Sequence, residues 1–226
     1  MRHGFVAMLA ATLLFIASPT HATVYADQSF DGCCVWGFLA DGFSHAGQSV
    51  TAGATGRLMR VEMSVTRSWG YDADWILDVR ELAGAHDDEV RMGALLSSTV
   101  IRSIDVPLGG SRSTPSLSVD LSSPVFFHAG DSFALVLHPK DVEGFAPHLS
   151  AGLWSGGCYG GWGRCYSGGE ALYGMSADTL YKQPFDFAFV TYITPVPEPE
   201  TRTLMLAALI GLALIGRLRT PTRQRA

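Results

Sequence analysis

Four cysteines, Cys33, Cys34, Cys158 and Cys165, are the residues whose type and spacing bear most directly on chemistry. Cys158 and Cys165 flank the flexible run Gly160-Gly161-Trp162-Gly163. Closing that loop with a disulfide would contribute about 2.5 kcal/mol by restricting the unfolded chain. Cys33 and Cys34 are adjacent, so in a regular strand they point to opposite faces and would bridge each other only with strain. Three complete pairings are open. Spacing favours Cys158–Cys165, and Cys33 or Cys34 could instead reach the same Gly-rich hairpin. A zinc site needs thiols and histidines at other spacings, so no metal is expected there.

The same Gly-rich stretch, 155–174, carries Tyr159, Trp162, Tyr166 and Tyr173, with Trp154 just before it. Aromatic rings on such a loop can stack on the C–H faces of sugars. Trp154, Tyr159, Trp162 and Tyr166 are therefore candidate glycan contacts, with Trp36 and Trp69 as further ones. The competing and favoured reading is that these rings fill a core or staple a hairpin. Asp72-Ala73-Asp74 and Asp87-Asp88-Glu89 are acidic clusters that could attract calcium, a hard cation that seeks grouped oxygens. Neither has the spacing of a helical calcium loop, and exposed acids are mostly solvated, so no cofactor is expected. No Gly-x-Ser-x-Gly elbow, His-Glu-x-x-His helix or phosphate-cradling glycine loop occurs. The seven histidines are scattered; His138 and His148 fall in one strand–loop region. A non-enzymatic protein is expected.

The elements that must position these residues read as strands. Val61, Met63 and Val65 alternate with Glu62 and Ser64, the period-two pattern of a half-buried strand. Trp75, Leu77 and Val79 alternate with Asp78 and Arg80, which places the latter pair on a polar face. Residues 132–137 are almost wholly apolar, as in a strand covered on both faces. Phe185, Phe187, Phe189 and Ile193 alternate with Asp186 and Tyr192 in a last strand. Turns are marked by Asp31-Gly32, Asp41-Gly42, Gly109-Gly110, Ala129-Gly130-Asp131 and Gly156-Gly157. Many short strands with dense turns and no helical periodicity predict an all-β domain, a β-sandwich or jelly roll, over residues 23–194.

That domain has 10 Lys and Arg against 19 Asp and Glu, a net charge of −9, while the whole chain of 226 residues carries −5. So acidic a domain is not drawn to nucleic acid by its charge. The mean hydropathy of +0.19 owes much to the chain's two ends. Residues 1–22 combine Arg2 and His3, an apolar run over 5–17 and small residues around Pro19: a secretory signal peptide. Cleavage is expected after Ala22, with Ala26 as the second choice, by signal peptidase after passage through the export translocon. Residues 195–203 alternate prolines and form an extended spacer. The 13 apolar residues 204–216 are a short transmembrane helix, about 20 Å long at 1.5 Å per residue. That is a marginal span for a hydrocarbon core of roughly 30 Å. Residues 217–226, with Arg217, Arg219, Arg223 and Arg225, form a basic stop that stays cytoplasmic. A permanent single-span anchor is the other reading of this end.

Val196-Pro197-Glu198-Pro199, the apolar run and the arginine-rich end occur in that order at the extreme terminus. This tail resembles the PEP-CTERM sorting signal of exported Gram-negative proteins. The resemblance implies an exosortase as processing partner, transient inner-membrane anchoring, delivery to the cell surface or matrix, and association with exopolysaccharide or biofilm. The strand segments 58–65, 75–82, 95–101, 124–137 and 186–192 also look like the choice-of-anchor β-sandwich domains common among such proteins. Those domains resemble carbohydrate-binding modules in architecture. The expected role is structural or adhesive; the alternative is recognition of exopolysaccharide, and a cryptic hydrolase stands behind both.

Overall fold

The computed structural model describes residues 23–31, 37–41, 45–67, 73–108, 117–140, 150–155, 165–196 and 210–211. Met1–Pro195 form one compact unit and Val196–Ala226 a second. In the first unit the described strands are β1 (Tyr25–Phe30), β2 (Gly37–Asp41), β3 (His45–Thr51), β4 (Gly56–Met63), β5 (Val65–Arg67), β6 (Trp75–His86) and β7 (Glu89–Ile101). They continue with β8 (Leu117–Phe127), β9 (Ser132–Pro139), β10 (Ser150–Ser155), β11 (Ala171–Ser176), β12 (Thr179–Lys182) and β13 (Phe189–Pro195). A 3-10 turn, Ser103–Asp105, follows β7. The fold is all-β, as the period-two patterns require.

Among the described residues every pairing between these strands is antiparallel, and an isolated parallel bridge joins Arg67 of β5 to Leu108. Six strands close into a barrel in the order β11-β12-β7-β6-β9-β3, with β3 and β11 joining the ends. A four-stranded sheet runs β1-β13-β4-β8, and a three-stranded sheet runs β2-β10-β5. The arrangement is consistent with a sandwich or jelly roll. Its closed barrel is the part that the strand patterns did not foretell.

Strand β9 shows how one segment serves two cores. Phe133, Leu135 and Leu137 point into the larger cluster, where they meet Leu58, Val61 and Met63 of β4, Leu77 and Val79 of β6, and Phe189 of β13. Ala134 and Val136 point the other way and join Val90, Met92, Leu172 and Leu180 in the smaller cluster that fills the barrel. A six-stranded barrel has room for side chains and no channel. Gly47 of β3 keeps that interior narrow: a Cβ there would stand 3.0 Å from the Leu135 carbonyl oxygen and 3.3 Å from Leu180 Cδ1. The unbroken apolar run 132–137 is thus a wall strand with a core on each side.

The same geometry corrects two expectations. Asp78 was expected on a polar, solvated face of β6, but only 6% of it is exposed, because that face is the barrel interior. Asp186 is read from the alternation as a polar residue of the last strand. Strand β13 begins three residues later, at Phe189, and Asp186 lies in an irregular segment, 3% exposed. Alternation of apolar and polar residues marks a half-buried strand only where the polar side meets water.

The turns follow local chemistry. Between β8 and β9, Gly130 has φ +92°, a left-handed conformation that residues with a Cβ rarely adopt. Asp131 Oδ2 accepts the His128 N–H at 2.7 Å and caps that turn. Of the second unit, Val196 is exposed and Ile210-Gly211 are helical. No helix among the described residues is long and apolar enough to cross a membrane. Residues 1–22 and the remainder of 204–216 lie outside the described residues.

Candidate functional site

Two polar clusters are built into the first unit, one on each side of the barrel wall. The first ties the end of the Gly-rich stretch to the core. Gln48 sits on β3 among the apolar residues Ala46 and Val50, and its side chain is fully buried. Its Nε2 donates to Asp186 Oδ1 at 2.9 Å, and its Oε1 accepts the Phe187 N–H at 2.9 Å. The other carboxylate oxygen of Asp186 accepts the Tyr166 N–H at 3.0 Å. Burial pushes the Asp186 carboxyl pKa up, while the bonds from Gln48 and Tyr166 pull against it. A buried carboxylate that accepts from two separate segments acts as a clamp.

Tyr166 carries the clamp outward. Its hydroxyl donates to Gln28 Oε1 at 3.1 Å, and its ring meets Phe189 edge-on at 5.1 Å. Burial raises its phenol pKa as well. The next residues run against β3: Thr51 Oγ1 donates to the Gly168 carbonyl at 2.8 Å, and Glu170 N–H donates to Ser49 Oγ at 2.7 Å. Gly169 has to be glycine, since a Cβ there would collide with the Ser49 carbonyl oxygen. Cys165, one residue before Tyr166, is disulfide-bonded. The chain from Cys165 to Glu170, at the end of the Gly-rich stretch, is therefore held by a covalent bond, a buried carboxylate and a close backbone contact within six residues.

The second cluster lies inside the barrel. His45 on β3 pairs in register with Gly174 of β11, and His138 on β9 with Ile76 of β6. The strands bring the two imidazoles together, with ring centroids 4.7 Å apart and planes tilted by 32°. His138 Nε2 stands 3.5 Å from Asp78 Oδ2, and its Nδ1 lies 3.1 Å from the Pro139 carbonyl oxygen. Arg80, two residues along β6, reaches the Ala177 carbonyl at 3.1 Å, the Gly93 carbonyl at 3.4 Å and Asp178 at 3.3 Å. Burial lowers the His45 pKa to about 4, helped by the neighbouring His138 and opposed by Asp78. For Asp78, burial alone would raise the pKa, but contacts with His138 and Ser98 and the charge of Arg80 bring it below the usual carboxylate value. Among the described residues no set of His, Cys, Asp and Glu is grouped to hold a metal ion.

Of the residues that the amino-acid pattern singled out, Tyr166 is half-buried, with its hydroxyl and ring engaged inside the fold. Tyr173 stands opposite Tyr181 across β11 and β12. Trp154 belongs to β10, opposite Phe38 of β2 and Val65 of β5. Asp74 accepts the Ser103 N–H at 3.0 Å, and Glu89 pairs with Arg91 at 3.0 Å, so both acids have protein partners. Val196 is described; Pro197, Glu198, Pro199, Arg217, Arg219, Arg223 and Arg225 lie outside the described residues. So do Cys33, Cys34, Cys158, Tyr159, Trp162, Trp36, Trp69, Asp72 and His148.

The pairing of His45 with His138 and the burial of Gln48 with Asp186 had no local signal. Each pair joins strands far apart in sequence, so only the strand order brings its members together. Comparisons with protein-family models and with curated proteins find nothing that matches this chain.

Proposed function

We propose that this is an exported envelope or matrix protein whose C-terminal tail is recognised and processed by an exosortase. Its β domain serves a structural or adhesive role in exopolysaccharide or biofilm. The observation that carries this reading is the tail itself. Val196-Pro197-Glu198-Pro199, the apolar run 204–216 and the four terminal arginines stand in the order of a PEP-CTERM sorting signal. The boundary of the compact β unit supports it, since that unit ends at Pro195, one residue before the motif. Alternating prolines disfavour helix and central strand, which suits a segment that another protein must read. The apolar run and its arginines would hold the motif at the outer face of the inner membrane during processing. The disulfide at Cys165 fits an oxidising compartment.

The test is to replace Pro197, Glu198 and Pro199 together by alanine in the native host and follow the mass of the exported chain. Loss of tail removal, with the full-length form retained in the membrane fraction, is the expected result. Tail removal at the normal rate would overturn the sorting reading.

A further inference from the structure

Among the described residues, the His45–His138 pair has two imidazoles and one adjoining carboxylate. His138 lies between two acceptors, the Pro139 carbonyl oxygen at 3.1 Å and Asp78 Oδ2 at 3.5 Å. A proton on this ring therefore meets an acceptor at each nitrogen. His45 is placed differently: its buried Nδ1 has no hydrogen-bond partner among the described residues. Among the described residues, the titratable and charged groups that face it are His138 on β9, Asp78 and Arg80 on β6, and Asp178 in the β11–β12 turn. Asp78 is already engaged by His138, and Asp178 by Arg80. Among the described residues, a proton on His45 would thus put a cation against the His138 ring, 4.7 Å away between centroids, with both nearby carboxylates already engaged elsewhere.

We propose that the cluster is an acid-operated latch on the barrel, in which protonation of His45 frees β3 and the β11–β12 hairpin while the four-stranded sheet stays assembled. The latch sits where those elements meet. His45 lies between β9 and β11, and Arg80 holds the β11–β12 turn through Ala177 and Asp178. The larger core cluster lies on the opposite face of β3 and β9. The sign follows from linkage. An imidazole that must stay neutral in the closed form regains its ordinary affinity for protons, near pH 6.5, once it reaches water. Opening is therefore unaffected above that pH and becomes more favourable as the pH falls from about 6.5 toward 4. Asp78 acts in the same direction only at lower pH: its ionised form is favoured in the fold, and that contribution is lost as the pH falls below the usual carboxylate range.

Hydrogen exchange of the full chain, corrected for the intrinsic effect of pH on exchange, tests this. Between pH 7 and pH 4.5, protection of 45–51 and 171–180 should fall about tenfold or more, while 56–63 and 189–195 keep theirs. His45→Gln should abolish the fall, and His138→Gln, which leaves Asp78 free to face a lone proton on His45, should blunt it. His128→Gln, an exposed histidine in the β8–β9 turn, should leave it intact. Equal loss of protection in both sets of strands, or an unchanged fall in His45→Gln, would overturn the latch. Should His45→Gln not fold, His138→Gln decides between the outcomes: an unaltered acid response there overturns the latch.

Discussion

Gln48 and Asp186, 138 positions apart in the chain, share a buried hydrogen bond of 2.9 Å that joins β3 to the segment before β13. The carboxylate of Asp186 also receives the backbone of Tyr166, so one side chain closes two long loops. Asp186→Ala leaves the Gln48 amide and the Tyr166 N–H without this acceptor inside the protein. Each unsatisfied buried group costs about 1–3 kcal/mol. The variant should lose at least about 2 kcal/mol in urea unfolding, more than Asp186→Asn, which keeps one acceptor oxygen. If both variants unfold with the wild-type midpoint, the clamp does not hold these segments.

The two faces of β9 make a second prediction. Leu135→Ala removes a side chain from the larger cluster, and Val136→Ala removes one from the barrel. The leucine change should destabilise by about 2–5 kcal/mol and the smaller valine change by less. Replacing Ala134 by Leu should also destabilise, by about 1–3 kcal/mol, because the barrel is already filled. Calorimetry of the three variants checks this. A neutral Ala134→Leu would mean that the barrel has space to spare.

Gly169 is constrained by its neighbour. Its missing Cβ would run into the Ser49 carbonyl oxygen, a backbone atom that cannot rotate away. Gly169→Ala should cost at least about 2 kcal/mol, within the range of substitutions that force the backbone apart. It should also speed hydrogen exchange at Ser49, whose N–H donates to the Glu170 carbonyl at 2.9 Å. Wild-type protection at Ser49 would show that the chain shifts elsewhere.

Part of the strand pattern is legible where strands announce themselves locally, as from β4 to β9 and in β13, whereas β1, β2, β3 and β10 to β12 are not read from the pattern. Val61, Met63 and Val65 alternate as β4 and β5 require, and the apolar run 132–137 correctly signals a strand with two covered faces. What covers the second face was not legible, since a barrel interior and a second sheet make the same demand on side chains. Asp78 and Asp186 show where the local rule ends. Their charge reads as exposure, yet each is made tolerable indoors by partners whose sequence distance hides them: His138 for one, Gln48 and Tyr166 for the other. The Gly-rich segment invited a reading in terms of sugar stacking. For Tyr166, the ring packs on Phe189 and the hydroxyl bonds to Gln28, which is the staple that aromatic residues commonly provide in β domains.

The order β1-β13-β4-β8 sets a schedule as well as a shape. A chain that emerges N-terminus first delivers β1, β4 and β8 long before β13, the strand that belongs between β1 and β4. Until that last segment arrives, β1 has no neighbour in its sheet, and β4 keeps an unpaired row of backbone groups open to other chains. The late arrival also makes closure slow, because the loop that must be drawn together spans nearly the whole domain. Assembly of the sheet therefore ends only when Pro195 is free, and a chain cut short before Phe189 would present two sticky edges in place of a finished surface.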